Sequence, residues 1–219
     1  MFVSLFVNLF PWRIRRLIYI YLKGYDLDKE SFIGLSIIRA EQVKLSNNAR
    51  IGHFTYCGPI EEIVLGCRAR LGNFNWVTGC PRNNEKHFSK ELERSPRLLL
   101  GDDSAITSRH FIDCTNSIKI GSFSTIAGIR SQFLTHSIDI KQSKQRSKPI
   151  IIGEYCFIGT GVTMLGGSSV ASYSVVGACS LINKELTEEY SLYAGVPASK
   201  ISALNKDEGY FTRIKGFIN

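Results

Sequence analysis

Four side chains in this 219-residue sequence can exchange a proton near neutral pH at their ordinary pKa: His53, His87, His110 and His136. Each lies at least 23 residues from the next, so no two share the short spacing a histidine zinc site needs. The six cysteines (57, 67, 80, 114, 156 and 179) are scattered and include no C-x-x-C pair. The glycine-rich loop that cradles nucleotide phosphates is absent. A single imidazole can still act as a general acid or base. His136 is the candidate, because it stands where a regular sequence period stops and a basic segment, Lys141 to Lys148, begins. His53 reads as packed beside a turn and His87 as solvated in a loop.

The period itself is clearest from Ile152 to Thr187, which runs IGEYCF, IGTGVT, MLGGSS, VASYSV, VGACSL, INKELT. The first place of each hexad is aliphatic: Ile152, Ile158, Met164, Val170, Val176 and Ile182. The fifth place is small in five of them: Cys156, Val162, Ser168, Ser174 and Ser180. Helices want apolar spacings of three and four and strands want alternation, so a clean six belongs to neither. A short internal repeat whose units cannot bury their apolar face alone marks a solenoid. Three six-residue sides close a triangular coil of eighteen, and successive coils stack about 4.8 Å apart. The expected core columns are therefore Ile152 on Val170, Ile158 on Val176 and Met164 on Ile182. On the same logic Thr160 and Ala178 share one edge, and Cys156 is a buried hydrophobe, not an acyl carrier.

These hexads, with Ser131-Gln132-Phe133-Leu134-Thr135-His136 upstream and Ala194-Gly195-Val196-Pro197-Ala198 at the close, resemble the hexapeptide-repeat acyltransferases. Among these, the sequence is most similar to bacterial sugar and polysaccharide O-acetyltransferases. The resemblance covers residues 100–201 well and the earlier chain loosely. It implies an all-β solenoid, a left-handed parallel β-helix, with acetyl-CoA as acyl donor, no metal, and a homotrimer whose sites lie between subunits. It implies His136, at the Thr-His position, as general base, oriented by Asp139, Glu154 or a backbone carbonyl. His110, Arg109 and Asp113 fall where acceptor contacts are expected, although the family's asparagine near 109–110 is missing. Phe157, Thr160, Ala178, Lys184 and Lys200 fall where the family meets the CoA arm and its phosphates. The implied activity is acetyl transfer to a hydroxyl of a cell-surface polysaccharide or its lipid-linked sugar precursor, in the cytoplasm. Another small acceptor (amino sugar, serine or antibiotic) and a non-catalytic scaffold are the alternatives. A zinc carbonic anhydrase of the same coil type requires two histidines five apart, which this sequence lacks.

The net charge of +8 and pI near 9.2 call for an anionic partner, and no nucleic-acid-binding module is present. Residues 1–30 form an N-terminal helical segment. Its first 24 residues cap the open end of the coil, or lie on an anionic membrane with Arg13, Arg15, Arg16 and Lys23 toward the head groups, or do both if the acceptor is lipid-linked. The β-helix spans 31–201, with hexads degraded between 33 and 77, where only those at 65 and 71 keep phase and loops or bulges are expected to interrupt the coil. Loops leave it at 79–97 and 137–149, the second either a basic cover for the site or plain solvated surface. The period slips by two after Ser117, a place to expect a bulge. A tail, 202–219, ends the chain as a short helix or arm.

Overall fold

The computed structural model describes residues 7–84, 87, 88, 91, 93–216 and 218. The chain winds through three parallel sheets that form the walls of a triangular prism. The first wall has eight strands from Asp26–Leu27 to Glu185–Leu186. The second has nine, from Phe32–Ile33 to Ala198–Ala203, and the third has seven, from Ile37–Ile38 to Leu181–Ile182. Most strands are two to four residues long, because a six-residue side leaves room for little more before the next corner.

The expected columns are present: Ile152 pairs with Val170, Ile158 with Val176, and Met164 with Ile182. In the second wall the inward column is Ile33, Ile51, Leu71, Ile106, Ile126, Ile158 and Val176, each at most 1% exposed. The hexad glycines are explained by clearance. A Cβ on Gly159 would lie 2.7 Å from the Ala178 nitrogen on the coil above, closer than real contacts allow.

Three expectations change. The degraded hexads between 33 and 77 do not interrupt the coil. Its first strand, Asp26–Leu27, already pairs with Lys44 and Leu45, so the coil starts before residue 31. Coils there alternate between 18 residues (Ile33 to Ile51) and 20 (Ile51 to Leu71). The extra residues fall at the corner between the third and first walls, where Cys57 is followed by a four-residue first-wall strand, Glu62–Leu65. The slip after Ser117 is the same device, and the 79–97 excursion leaves from that corner too. Within 137–149 the chain is not irregular: His136–Asp139 and Lys144–Ser147 form an antiparallel hairpin. At the far end Ser191–Gly195 extends the second wall and turns back along Ala198–Ala203.

The ends are covered differently. Helix α1 (Trp12–Lys23) sits at the start of the coil, with Arg15 donating to the Gly34 carbonyl at 2.8 Å and Tyr19 stacked on Tyr25 at 5.6 Å. Helix α2 (Gly209–Thr212), in the tail, lies along the coil. Its Phe211 meets Tyr173 and Tyr190 edge-on, within an aromatic ladder that also stacks Phe123, Tyr155 and Tyr173.

Candidate active site

Three consecutive coils send their extra residues out of the corner between the third and first walls, and this builds the site. The lowest contributes Thr78 and the excursion carrying His87, Phe88, Glu91 and Arg94. The next contributes Asp113 and Thr115. The third contributes Thr135 and His136. Strand pairing fixes their relation: Asp113 ends the strand Phe111–Asp113 and lies opposite Leu134, so the chain turning out at Thr135 and His136 passes directly over its carboxylate.

The contacts are tight. His136 Nδ1 lies 2.6 Å from Asp113 Oδ2, and the His136 backbone N–H donates to the same oxygen at 3.2 Å. Thr135 Oγ1 donates to Asp113 Oδ2 at 3.1 Å, while Thr115 donates to Oδ1 through its hydroxyl at 2.6 Å and its backbone N–H at 3.1 Å. The Asp113 side chain is 2% exposed and that of His136 45%. A buried carboxylate thus holds one face of a ring whose other nitrogen looks outward. With Nδ1–H donated to Asp113, Nε2 keeps its lone pair for a proton arriving from the solvent side.

The electrostatics follow. The hydrogen bond to Asp113 raises the His136 pKa above the usual histidine value against the opposing effect of partial burial. At Asp113 burial pushes the pKa up, but the hydrogen bonds from His136 and Thr115 together outweigh it and leave the carboxyl below its usual value. The corner opens on a cleft of about 240 Å³ lined by Thr78, His87, Phe88, Thr115, His136 and Gln145 among others. Phe88 meets the His136 ring edge-on at 6.2 Å. Arg94, buried, donates to the carbonyls of Cys80, Pro81 and Thr115 (the last at 3.0 Å), with its guanidinium 4.6 Å from the Phe88 ring. Gly166, on the next coil, lies close against the chain that carries the base, where a Cβ would meet the Thr135 carbonyl at 2.5 Å. A groove of about 450 Å³ adjoins the hairpin, lined by Glu91, Thr135, Ser147 and Gly166 among others, and grooves of about 680 and 720 Å³ lie elsewhere on the coil.

No protein-family model matches the sequence, and no curated protein matches it. Among solved structures the coil is similar to AntD, an N-acyltransferase from Bacillus cereus, determined as a point mutant in complex with dTDP and coenzyme A. The TM-score is 0.55 at 18% identity, covering 80% of this chain and 84% of that one. Weaker likenesses are to a hexapeptide-repeat-containing acetyltransferase from Vibrio cholerae (TM-score 0.48, 19% identity, 93% of this chain and 87% of that one) and to the polysialic acid O-acetyltransferase OatWY (0.46, 17%, 87% and 90%). The shared fold is the left-handed parallel β-helix.

Placed on this β-helix, the sequence candidates divide. Asp113 is no acceptor contact: it is sealed into the corner and orients His136, a task assigned from sequence to Asp139, Glu154 or a carbonyl. Asp139 instead faces Arg146 at 3.7 Å. Glu154 belongs to the corner between the first and second walls, where its backbone N–H meets Ser172 Oγ. His110 is 2% exposed and does not reach an acceptor. It occupies the fifth place of the hexad ITSRHF, stacked between Asn75 and Ser131. Ser131 N–H donates to its Nδ1 at 3.1 Å and Nε2 meets Thr107 Oγ1 at 3.0 Å, and burial depresses its pKa to about 4. Arg109 is exposed with its guanidinium 5.6 Å from the Phe74 ring.

Thr160 and Ala178 do lie one above the other, both exposed, and Cys179 N–H donates to the Thr160 carbonyl at 2.8 Å. Their corner joins the second and third walls and is not the His136 corner; one wall separates the two. Phe157 packs under Tyr210 of α2, ring centroids 5.8 Å apart. Lys184 is exposed on the His136 corner, above the hairpin. Lys200 pairs with Glu188 at 2.6 Å. Cys156 is fully buried, its thiol pushed up to about 11 chiefly by that burial. Sequence reasoning missed Thr115, Glu91, Phe88 and Arg94, whose roles exist only where the loops meet. Among the described residues no group of three or more His, Cys, Asp and Glu side chains is arranged to hold a metal ion.

Proposed function

We propose that the chain is an acetyl-CoA-dependent O-acetyltransferase acting on a hydroxyl of a cell-surface polysaccharide or its lipid-linked sugar precursor. The observation that carries this reading is the His136–Asp113 pair: a half-exposed imidazole held at 2.6 Å by a buried carboxylate, at the mouth of a cleft. His136 Nε2 takes the acceptor hydroxyl proton as the oxygen attacks the thioester carbonyl carbon. As the tetrahedral intermediate collapses, the C–S bond breaks and the imidazolium returns that proton to the departing thiolate. Asp113 holds the tautomer and compensates the imidazolium charge. No covalent enzyme intermediate is needed, and Cys156, protonated and buried, is not placed to form one.

The donor's pantetheine arm runs along the exposed Thr160–Ala178 edge, and Lys184, which shares the His136 corner, reaches its phosphates from the neighbouring copy. Because that edge and His136 occupy different corners of one prism, each site pairs the donor edge of one copy with the histidine of the next. Three copies around one axis satisfy this. Light scattering is expected to give three times the 24.5 kDa chain mass, and a monomer with full activity would refute the arrangement.

The deciding experiment is CoA release against a panel of oligosaccharides, lipid-linked glycans, amino sugars and serine. Turnover is expected with the glycans, and His136→Ala is expected to lose about 10²- to 10⁴-fold in rate while still binding acetyl-CoA. Release with no member of the panel, or full activity of the variant, would sink the reading.

A further inference from the structure

Helix α1 turns two of its arginines toward the protein: Arg15 donates to Gly34 O at 2.8 Å and Arg16 to Leu27 O at 2.8 Å, while Asn8, just before the helix, donates to Ser36 O at 3.0 Å. These groups cap carbonyls of the first coil, which has no further coil beneath it. Arg15 is 3% exposed. On the same side Tyr19 is buried, with Trp12, Ile18 and Ile20 partly buried against the core, and the remaining apolar side chains face outward. Leu9 is 75% exposed, Leu17 50%, Tyr21 79% and Leu22 76%, with Phe10 and Ile14 alongside. Within the helix Ile14, Leu17 and Tyr21 follow the three-four spacing of one face.

An apolar face of this extent on a helix that has already satisfied its polar side marks a contact surface. Charge selects the partner. The sequence has no Asp or Glu before Asp26, while Arg13 is exposed next to Ile14 near the start of the helix and Lys23 is exposed at its end. We propose that this end of the coil docks on an anionic lipid bilayer, with Leu17, Tyr21 and Leu22 entering the interface and Arg13 and Lys23 at head-group level. Of the four basic residues picked out from sequence, Arg15 and Arg16 are committed to the coil. No helix among the described residues is long and apolar enough to cross a membrane, so the contact is peripheral. Docking of this kind stands independently of acyl transfer, but it fixes where the base works. Four strand spacings, about 19 Å, separate the first coil from the one carrying His136, and the helix beneath that coil adds about 10 Å more between the imidazole and the head groups.

The test is cosedimentation of the full chain with vesicles of phosphatidylcholine alone or mixed with phosphatidylglycerol. The expected result is pelleting with the mixed vesicles, weakened about tenfold or more in the Arg13→Gln, Lys23→Gln double variant and by high salt. The Leu17→Glu, Tyr21→Glu double variant is expected to stay in solution with an unchanged thermal melt, since both positions are exposed. A parental chain that remains in the supernatant overturns the proposal, as does a charge-reversed face that still pellets. A face buried between copies would show as a lower mass for the Leu17→Glu, Tyr21→Glu variant by light scattering with no vesicle binding by the parent, and that too overturns it.

Discussion

The Glu91 carboxylate accepts both the backbone N–H and the hydroxyl of Ser147, each at 2.8 Å, across 56 residues of chain. Glu91 rides the excursion that leaves the coil below Asp113, and Ser147 rides the hairpin that leaves the coil above it. The two segments are thereby tied together over the corner that carries the base. Asn116 adds to the tie, donating to Ser147 Oγ at 3.1 Å. Glu91→Ala is expected to loosen the hairpin and raise the acceptor KM several-fold, with acetyl-CoA affinity unchanged. Steady-state kinetics with each substrate varied in turn will show it, and equal effects on both substrates would argue for a general loss of fold.

The His136–Asp113 pair has a pH signature. The base must be neutral to work, and its pKa is raised, so kcat/KM falls on the acid side with a midpoint above the ordinary histidine value of about 6.5. Asp113→Asn removes the largest cause of that shift. The midpoint is expected to move down toward about 6.5 while the plateau rate drops, because the amide no longer holds the productive tautomer. An unmoved midpoint would exclude the pair from the rate-limiting proton transfer. Stability carries the same linkage. The raised His136 pKa contributes below about 6.5 and is lost as pH rises through its folded value. The lowered Asp113 pKa contributes above about 3.9 and is lost as pH falls through its folded value.

Ala178 has an exposed methyl on the edge assigned to the donor. Ala178→Trp is expected to raise the KM for acetyl-CoA about tenfold or more by filling that edge, leaving the thermal melt unchanged. Titration calorimetry with CoA checks it directly.

His110 separates a structural histidine from a functional one. His110→Ala leaves the buried Ser131 N–H without its acceptor and is expected to cost about 1–3 kcal/mol of stability. The folded variant, assayed below its melting temperature, should keep its acceptor KM. A selective rise in that KM would restore His110 to the binding surface.

The ladder itself is tested by Ile158→Ala. Ile158 is fully buried between Ile126 and Val176, so the cavity is expected to cost about 2–5 kcal/mol in denaturant unfolding.

Where coils are eighteen residues long, the sequence by itself determined the architecture. Ile152 must lie under Val170 and Thr160 under Ala178, because a constant period makes stacking a matter of counting. The same counting places His110 on a buried fifth position, a signal present in ITSRHF that outweighs its neighbourhood to the candidate base. Counting fails where coils differ in length. The place above Ile51 is held by Leu71, twenty residues further on, and thirty-two residues separate Ile126 from Ile158.

In those coils only the folded chain decides which residue lies under which. Asp113 meets His136 because the extra residues leave at a single corner, and that choice depends on how three separate coils close against one another. The face of α1 was also beyond the sequence. Its apolar and basic residues suit either orientation, and the carbonyls at the open end of the first coil drew Arg15 and Arg16 inward beside Tyr19 and left Ile14, Leu17, Tyr21 and Leu22 exposed.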